Sequence, residues 1–289
     1  MCAVLHKSKV ARALWGNAQR QLRIALKRKP RPRVWPPNGL ESVIRHHTEL
    51  VQRFVAQAPA RWQFAGKTFC EIGPSDCLAV AGFLLGKGAA RVDLVEPSPP
   101  VLHSLQRKVL EGVRQSGLAL DTTFVRGERE LQFDETRVSY HNSFMESLGF
   151  EDRYDYLFSF DVMEHVEDLH GFYSACRKVL KPDGQMFHSI DFSGHSEFED
   201  PVPPLDYQTY PDWLYYLMYP PFHRTTRSFL SEHHQAMTSA GFIVDETKTV
   251  RRADNDYLAR VWPRLRGRAR ALPMEEVAVL QAVVVSHKI

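Results

Sequence analysis

Thr68-Phe-Cys-Glu-Ile-Gly-Pro-Ser-Asp76, followed by an apolar run and then by Val92-Asp-Leu-Val-Glu96-Pro97, decides the fold of this chain. Lys67 to Ile72 reads as a buried strand that runs into a glycine turn, and the apolar run after it reads as a helix. A second buried strand then ends on a carboxylate about twenty residues after the turn, which is the layout of a nucleoside-binding α/β unit. The glycine allows a tight turn and close approach of backbone to a ligand. The helix start offers unpaired N–H groups, and an acid at the tip of the second strand can accept both hydroxyls of a ribose. Function is therefore expected at these strand ends. The loop Gly73-Pro74-Ser75-Asp76 lacks the G-x-G-x-x-G that seats a pyrophosphate, so a nucleoside without phosphates fits better than a dinucleotide.

Further along, strands and helices alternate. Leu40 to Ala58 and Val101 to Val113 carry helical apolar spacing; Arg137 to His141, Asp155 to Phe160 and Gly184 to Ile190 read as strands, the last after a Lys181-Pro-Asp-Gly184 turn. Asp168 to Leu180 and Thr226 to Ser239 read as helices, with strands from Phe242 to Thr249 and from Val277 to Ser286. The predicted fold class is α/β: a Rossmann-like, seven-stranded, mostly parallel sheet with helices on both faces. One segment, 191–224, breaks the alternation. It is rich in prolines and aromatics (Tyr207, Tyr210, Trp213, Tyr215, Tyr216, Tyr219, Phe222) and follows a strand end, so it is expected to form a lid over the ligand, with a plain structural insertion as the alternative.

With 289 residues, 44% of them apolar, the chain can bury one large domain. No apolar run spans a membrane and no secretory signal is recognisable, so a cytoplasmic protein is expected. Cys2, Cys70, Cys77 and Cys176 show no pairing pattern, and no His/Cys spacing typical of zinc occurs, so no metal is expected. The net charge of +3 hides an asymmetry: residues 1–40 hold ten basic residues and no acid. Residues 1–39 are read as a basic amphipathic arm and a Pro-rich linker (Lys29 to Pro37), and 40–289 as the folded domain with its lid. Residues 1–33 can contact an anionic membrane peripherally, or the helix can pack on the domain.

The first motif resembles that of the class I S-adenosylmethionine-dependent methyltransferases, acid-x-Gly-x-Gly, with Glu71-Ile72-Gly73 keeping the first half and Ser75 standing for the second glycine. It is closest to a bacterial subgroup with an E-x-G-P-G-D-S type loop. Ser159-Phe-Asp-Val-Met-Glu-His-Val166 resembles the S-x-x-V-L-E-H-V segment after the family's fourth strand, and His188-Ser-Ile-Asp191-Phe-Ser-Gly-His195 resembles the subgroup's H-x-I-D-x-x-x-H. Some members of that subgroup occur among saccharide-modifying enzymes.

The resemblance implies S-adenosylmethionine as cofactor. Glu71, Gly73, Pro74 and Ser75 would border its methionine part, Glu96 its ribose, and Ser143 and Phe144 its adenine, Phe144 being otherwise a core residue. Ser159, Asp161 and His165 fall in the segment beside the transferable methyl, with Glu164-His165 alternatively a helix-start pair. On the acceptor side His195 is nominated as general base, oriented by Asp191, with His188 as runner-up; imidazole suits proton removal from a hydroxyl near neutral pH. His223, Arg224 and Tyr215 are candidate substrate contacts, Arg224 alternatively pairing with an internal acid.

The leading reading is O-methylation of a small-molecule or glycan acceptor. A catalytically silent binding protein is the second. A nucleic-acid methyltransferase is disfavoured by the negative remainder of the chain and by the absence of an N/D-P-P-Y/F motif. The acceptor and the oligomeric state are not written in the sequence.

Overall fold

A computed structural model describes residues 10, 11, 13–15, 39–98, 106–126, 132–195, 202–219 and 224–289. Most of the basic arm, its Pro-rich linker, the start of the helix predicted from Val101, and His223 lie outside the described residues.

The chain enters through α1 (Gly39–Gln57), then β1 (Thr68–Ile72), α2 (Ala79–Gly86), β2 (Arg91–Val95) and α3 (Gln106–Gln115). A two-residue ribbon, β3 (Val125–Arg126) with β4 (Gln132–Phe133), precedes β5 (Val138–His141), β6 (Tyr154–Phe160), α4 (Leu169–Val179) and β7 (Leu180–Asp191). After α5 (Asp212–Met218) and α6 (Leu230–Ser239) come β8 (Phe242–Arg252), the short helices α7 (Asn255–Val261), α8 (Gly267–Ala271) and α9 (Met274–Val277), and β9 (Val279–Lys288). The large sheet has seven strands in the order β5-β2-β1-β6-β7-β9-β8. β9 is antiparallel to both of its neighbours, and the other large-sheet pairings are parallel. The expected Rossmann-like class is thus the observed one.

Both faces of the sheet are covered, which is why β1 and β6 read as near-continuous apolar runs. Phe69 of β1 joins Val51, Phe54, Leu84, Val109 and Phe187 on the face covered by α1 to α3. Its neighbours Cys70 and Ile72 join Tyr173, Met186, Ile190 and Met237 on the face covered by α4 and α6. Cys70, Cys77 and Cys176 are buried free thiols, small core groups as their spacing suggested.

Three local differences from the expectations have physical causes. The Lys181–Gly184 turn is drawn into β7 as a bulge: Tyr154 pairs with Leu180 but Tyr156 with Gln185, and Asp183 takes the left-handed backbone at φ 60°. Helix α6 begins at Leu230, four residues beyond Thr226, because Arg227 also sits at φ 60° and Glu232 accepts the Phe229 N–H at 2.8 Å to cap the start. Between the two C-terminal strands, where no element was expected, lie α7 to α9, pieces too short to give a clear helical period.

Those helices, the described part of segment 191–224 and one turn of the arm build a third core. Tyr207, Tyr210, Tyr215 and Tyr219 are buried there with Ala13, Leu258, Val261, Leu265 and Ala269. Most of the segment's aromatics therefore fill an accessory core, while Trp213 and Tyr216 stay exposed. Among the described residues no helix is long and apolar enough to cross a membrane.

Candidate functional site

Ile72 of β1 pairs with Val95 of β2, so the two strands leave the sheet side by side as Gly73 and Glu96. The Gly73 N–H donates to the Val95 carbonyl at 2.9 Å. Gly73 adopts φ 70° and lies against Val162, whose Cγ2 would overlap any Cβ at that position, so both conformation and contact demand glycine here. The turn continues through Pro74, whose carbonyl accepts the Cys77 N–H at 2.9 Å, and Ser75 at φ 53°. The serine thus keeps a left-handed backbone of the kind glycine adopts freely.

Below this turn Glu71 is buried with its Oε2 unpartnered among the described residues, and burial raises its carboxyl to about 8. His47 of α1, also buried, has both ring nitrogens unpartnered; burial lowers it to about 4 against the opposing pull of Asp76. Orphaned polar atoms under a glycine cradle are what a site built for a polar ligand leaves when described alone.

β2 carries two acids with different fates. Asp93 is fully buried and paired with Arg91 at 2.7 Å, Arg153 at 3.0 Å and the Tyr154 hydroxyl at 2.8 Å. Burial alone would raise Asp93, but hydrogen bonds from His141 and Tyr154 with the two arginines bring it to about 2. Glu96, half-buried at the strand tip, accepts the Ser98 N–H at 3.0 Å through Oε1, and the Asn142 side chain donates to the carbonyls of Glu96 and Pro97. Next to it Ser143 has a buried Oγ that is unpartnered among the described residues, and Phe144 is 55% exposed. The core alternative for Phe144 is thereby removed.

At the end of β6, Asp161 takes φ 53° and its carboxylate is held by Arg53 of α1, Nη1 to Oδ2 at 2.5 Å and Nη2 to Oδ1 at 2.6 Å. Arg53 also donates to Ser189 Oγ at 2.7 Å. Asp161, expected near the donor methyl, is committed to an arginine that no local sequence signal singled out, because the two meet only through the packing of α1. Ser159 is fully buried and bonded to His188 Nδ1 at 2.7 Å, and His188 Nε2 lies 3.4 Å from Met186 Sδ. Burial drives His188 down to about 3. Strand alternation turns this histidine into the α4/α6 core, so it cannot meet an acceptor, a correction to its place as runner-up base.

Glu164 and His165 lie in one 3₁₀ turn (Met163–His165), and the alternative role of Glu164 as a helix cap is not seen: Asp168 caps α4, accepting the Gly171 N–H at 2.9 Å. The Glu164 carboxylate is buried, with neither oxygen in a well-formed hydrogen bond among the described residues; burial, then Asp161, raises its carboxyl well above the usual range against the pull of the nearby backbone N–H groups of Glu164 and Asp191. His165 Nδ1 meets the Arg224 carbonyl at 3.0 Å, and its ring stands edge-on to His195 with centroids 5.5 Å apart. His195, exposed, reaches Asp191 Oδ2 through Nε2 at 3.5 Å. Burial would raise Asp191, but hydrogen bonds from His195 and Ser193, with Arg251 alongside, bring it to about 2.

The expected substrate contacts fare differently. Tyr215 is buried with its hydroxyl 3.0 Å from the Thr225 carbonyl, so it belongs to the accessory core and not to a pocket wall. Arg224 pairs with Glu167 at 2.5 Å and stacks on Tyr216 at 4.3 Å, the internal-acid alternative.

Residues 79–188 match the family model described as a methyltransferase domain. Among solved structures, a geranyl diphosphate methyltransferase in complex with S-adenosylmethionine is similar at a TM-score of 0.50 and 13% identity, over 88% of this chain and 93% of that one. A putative sarcosine dimethylglycine methyltransferase from Galdieria sulphuraria gives 0.46 and 17%, over 85% and 86%. An S-adenosylmethionine-dependent methyltransferase from Mesorhizobium loti gives 0.44 and 16%, over 85% and 100%. No curated protein matches the chain. The fold is the Rossmann-like fold of the geranyl diphosphate methyltransferase.

Proposed function

We propose that the chain is an S-adenosylmethionine-dependent methyltransferase that methylates a hydroxyl of a small-molecule or saccharide acceptor. The observation that carries this reading is the pairing of Gly73, where only glycine fits, with a half-buried acid, Glu96, on adjacent strand ends, Glu96 falling within the residues that match the methyltransferase-domain model and Gly73 just before them.

In this reading Glu96 accepts the ribose hydroxyls, the exposed ring of Phe144 covers the adenine, and the buried Glu71 below the Gly73–Ser75 turn faces the cationic methionine part. Bound there, the donor supplies an electrophilic methyl group on a sulfonium. The chain's own chemistry is alignment and proton removal. His195 would take the proton of the acceptor hydroxyl while the methyl group passes to its oxygen, the C–S bond breaking and S-adenosylhomocysteine leaving as the neutral thioether. Asp191, ionised by its hydrogen bonds and Arg251, holds the ring and stabilises the imidazolium that forms.

Calorimetry with S-adenosylhomocysteine tests the donor half. Glu96→Ala should weaken binding at least tenfold, because hydrogen bonds to a charged group contribute about 1.5–3 kcal/mol each. No binding by the wild-type protein would discard the donor assignment and leave a methyltransferase-like binding protein as the reading.

A further inference from the structure

We propose that Glu164, His165 and His195 form a binding site for one divalent transition-metal ion. One ligating atom from each of the three lies within 4.8 Å of the others. The inference stands on this cluster and does not depend on methyl transfer.

Three observations carry it. The first is the Glu164 carboxylate, 2% exposed and with neither oxygen in a well-formed hydrogen bond among the described residues, Asp161 and Asp191 adding negative potential around it while Arg53 and the backbone N–H groups of Glu164 and Asp191 act the other way. A carboxylate buried this deeply is costly to ionise, and a cation at this point lowers that cost. Second, each histidine already has a ring nitrogen directed at an oxygen: Nδ1 of His165 at the Arg224 carbonyl (3.0 Å) and Nε2 of His195 at Asp191 (3.5 Å). An outward hydrogen bond of this kind is how metal-bound histidines are oriented. Third, two of the ligands, Glu164 and His165, are fixed by one buried turn, whereas His195 is exposed and can rotate. The gap has to close, since ligand atoms about 2.0–2.2 Å from a common ion lie nearer together than this cluster does at its widest.

Two imidazoles and one carboxylate suit zinc or ferrous iron and leave coordination positions open on the exposed His195 side. A bound ion takes the lone pair that His195 needs as a base, so metal occupancy and general-base use of that ring exclude each other. Sequence reasoning missed the cluster because Glu164 and His165 are adjacent, a spacing with no metal signature, and the third member arrives from the far end of β7.

The test uses untagged full-length protein stripped with a chelator, then titrated with Co2+ followed by visible absorption and with Zn2+ in competition. One equivalent should bind, with a dissociation constant of about 10 μM or tighter. Glu164→Gln and His195→Ala should each weaken binding at least tenfold, and Asp191→Asn by about 10–100-fold as the loss of an orienting partner. S-adenosylhomocysteine affinity of the same variants reports separately on the donor site. If Glu164→Gln does not fold, His195→Ala, at an exposed position, carries the test. No saturable uptake of either ion up to about 1 mM, or uptake unchanged in His195→Ala, overturns the proposal.

Discussion

Arg53 and Asp161, 108 residues apart in sequence, are joined by two parallel hydrogen bonds of 2.5 and 2.6 Å. The pair ties α1 to the end of β6 and so to the segment that carries Glu164 and His165. Planar guanidinium and planar carboxylate meet in the geometry that gives such pairs both strength and direction.

Replacing Arg53 by Met keeps much of the stem over Phe160 but removes the fork. With the Asp161 side chain 37% exposed, solvent discounts the interaction, and the loss should be about 1–2 kcal/mol by urea unfolding. An unchanged midpoint would show that water replaces Arg53 without cost.

Ser75→Gly should raise stability by about 1 kcal/mol, because a left-handed backbone costs an L-residue roughly 1–2 kcal/mol that glycine does not incur. Thermal unfolding checks the gain. A destabilised variant would mean that the serine side chain contributes more than its backbone conformation costs.

Glu71 sets a pH dependence with a definite sign. Its folded value of about 8 lies above the ordinary 4.5, so its contribution to stability is fully present below pH 4.5 and is lost as pH rises through 8. The difference amounts to roughly 5 kcal/mol, at about 1.36 kcal/mol for each pH unit between the two values. Glu71→Gln, neutral throughout, should flatten this fall and be the more stable protein at pH 8.5. If both proteins lose stability in parallel across the interval, Glu71 is not the group responsible.

Once an acceptor is in hand, His195→Ala should lower turnover about a hundredfold or more with S-adenosylhomocysteine affinity nearly unchanged, the signature of a lost general base. Turnover equal to wild type would remove His195 from the chemistry.

The sheet was legible because β1, β2, β6 and β7 are buried on both faces and so announce themselves as apolar runs, and the position of the site followed from where such strands end. Gly73 and Glu96 were readable for the same reason. The rest depended on contacts between distant segments. Nothing local marks Arg53 as the partner of Asp161, and Tyr215 looks the same in a sequence whether it lines a pocket or fills the accessory core. His188 stood as runner-up to His195 until β7 turned its side chain into the core. The alternation that gives one face to the core also decides which imidazole can meet a ligand.

The place of β9 between β7 and β8 bears on how the chain comes to be made. Of the seven strands of the sheet it is the last to be synthesised, yet it occupies an interior position, pairing seven residues of β7 from Gln185 to Asp191. Until residues 279–288 are available, the inner edge of β7 and all of β8 present unpaired backbone, the kind of open border that recruits foreign strands. A nascent chain stalled before β9 is thus an aggregation hazard in a way that one stalled before α1 is not, and chaperone demand should peak late in translation.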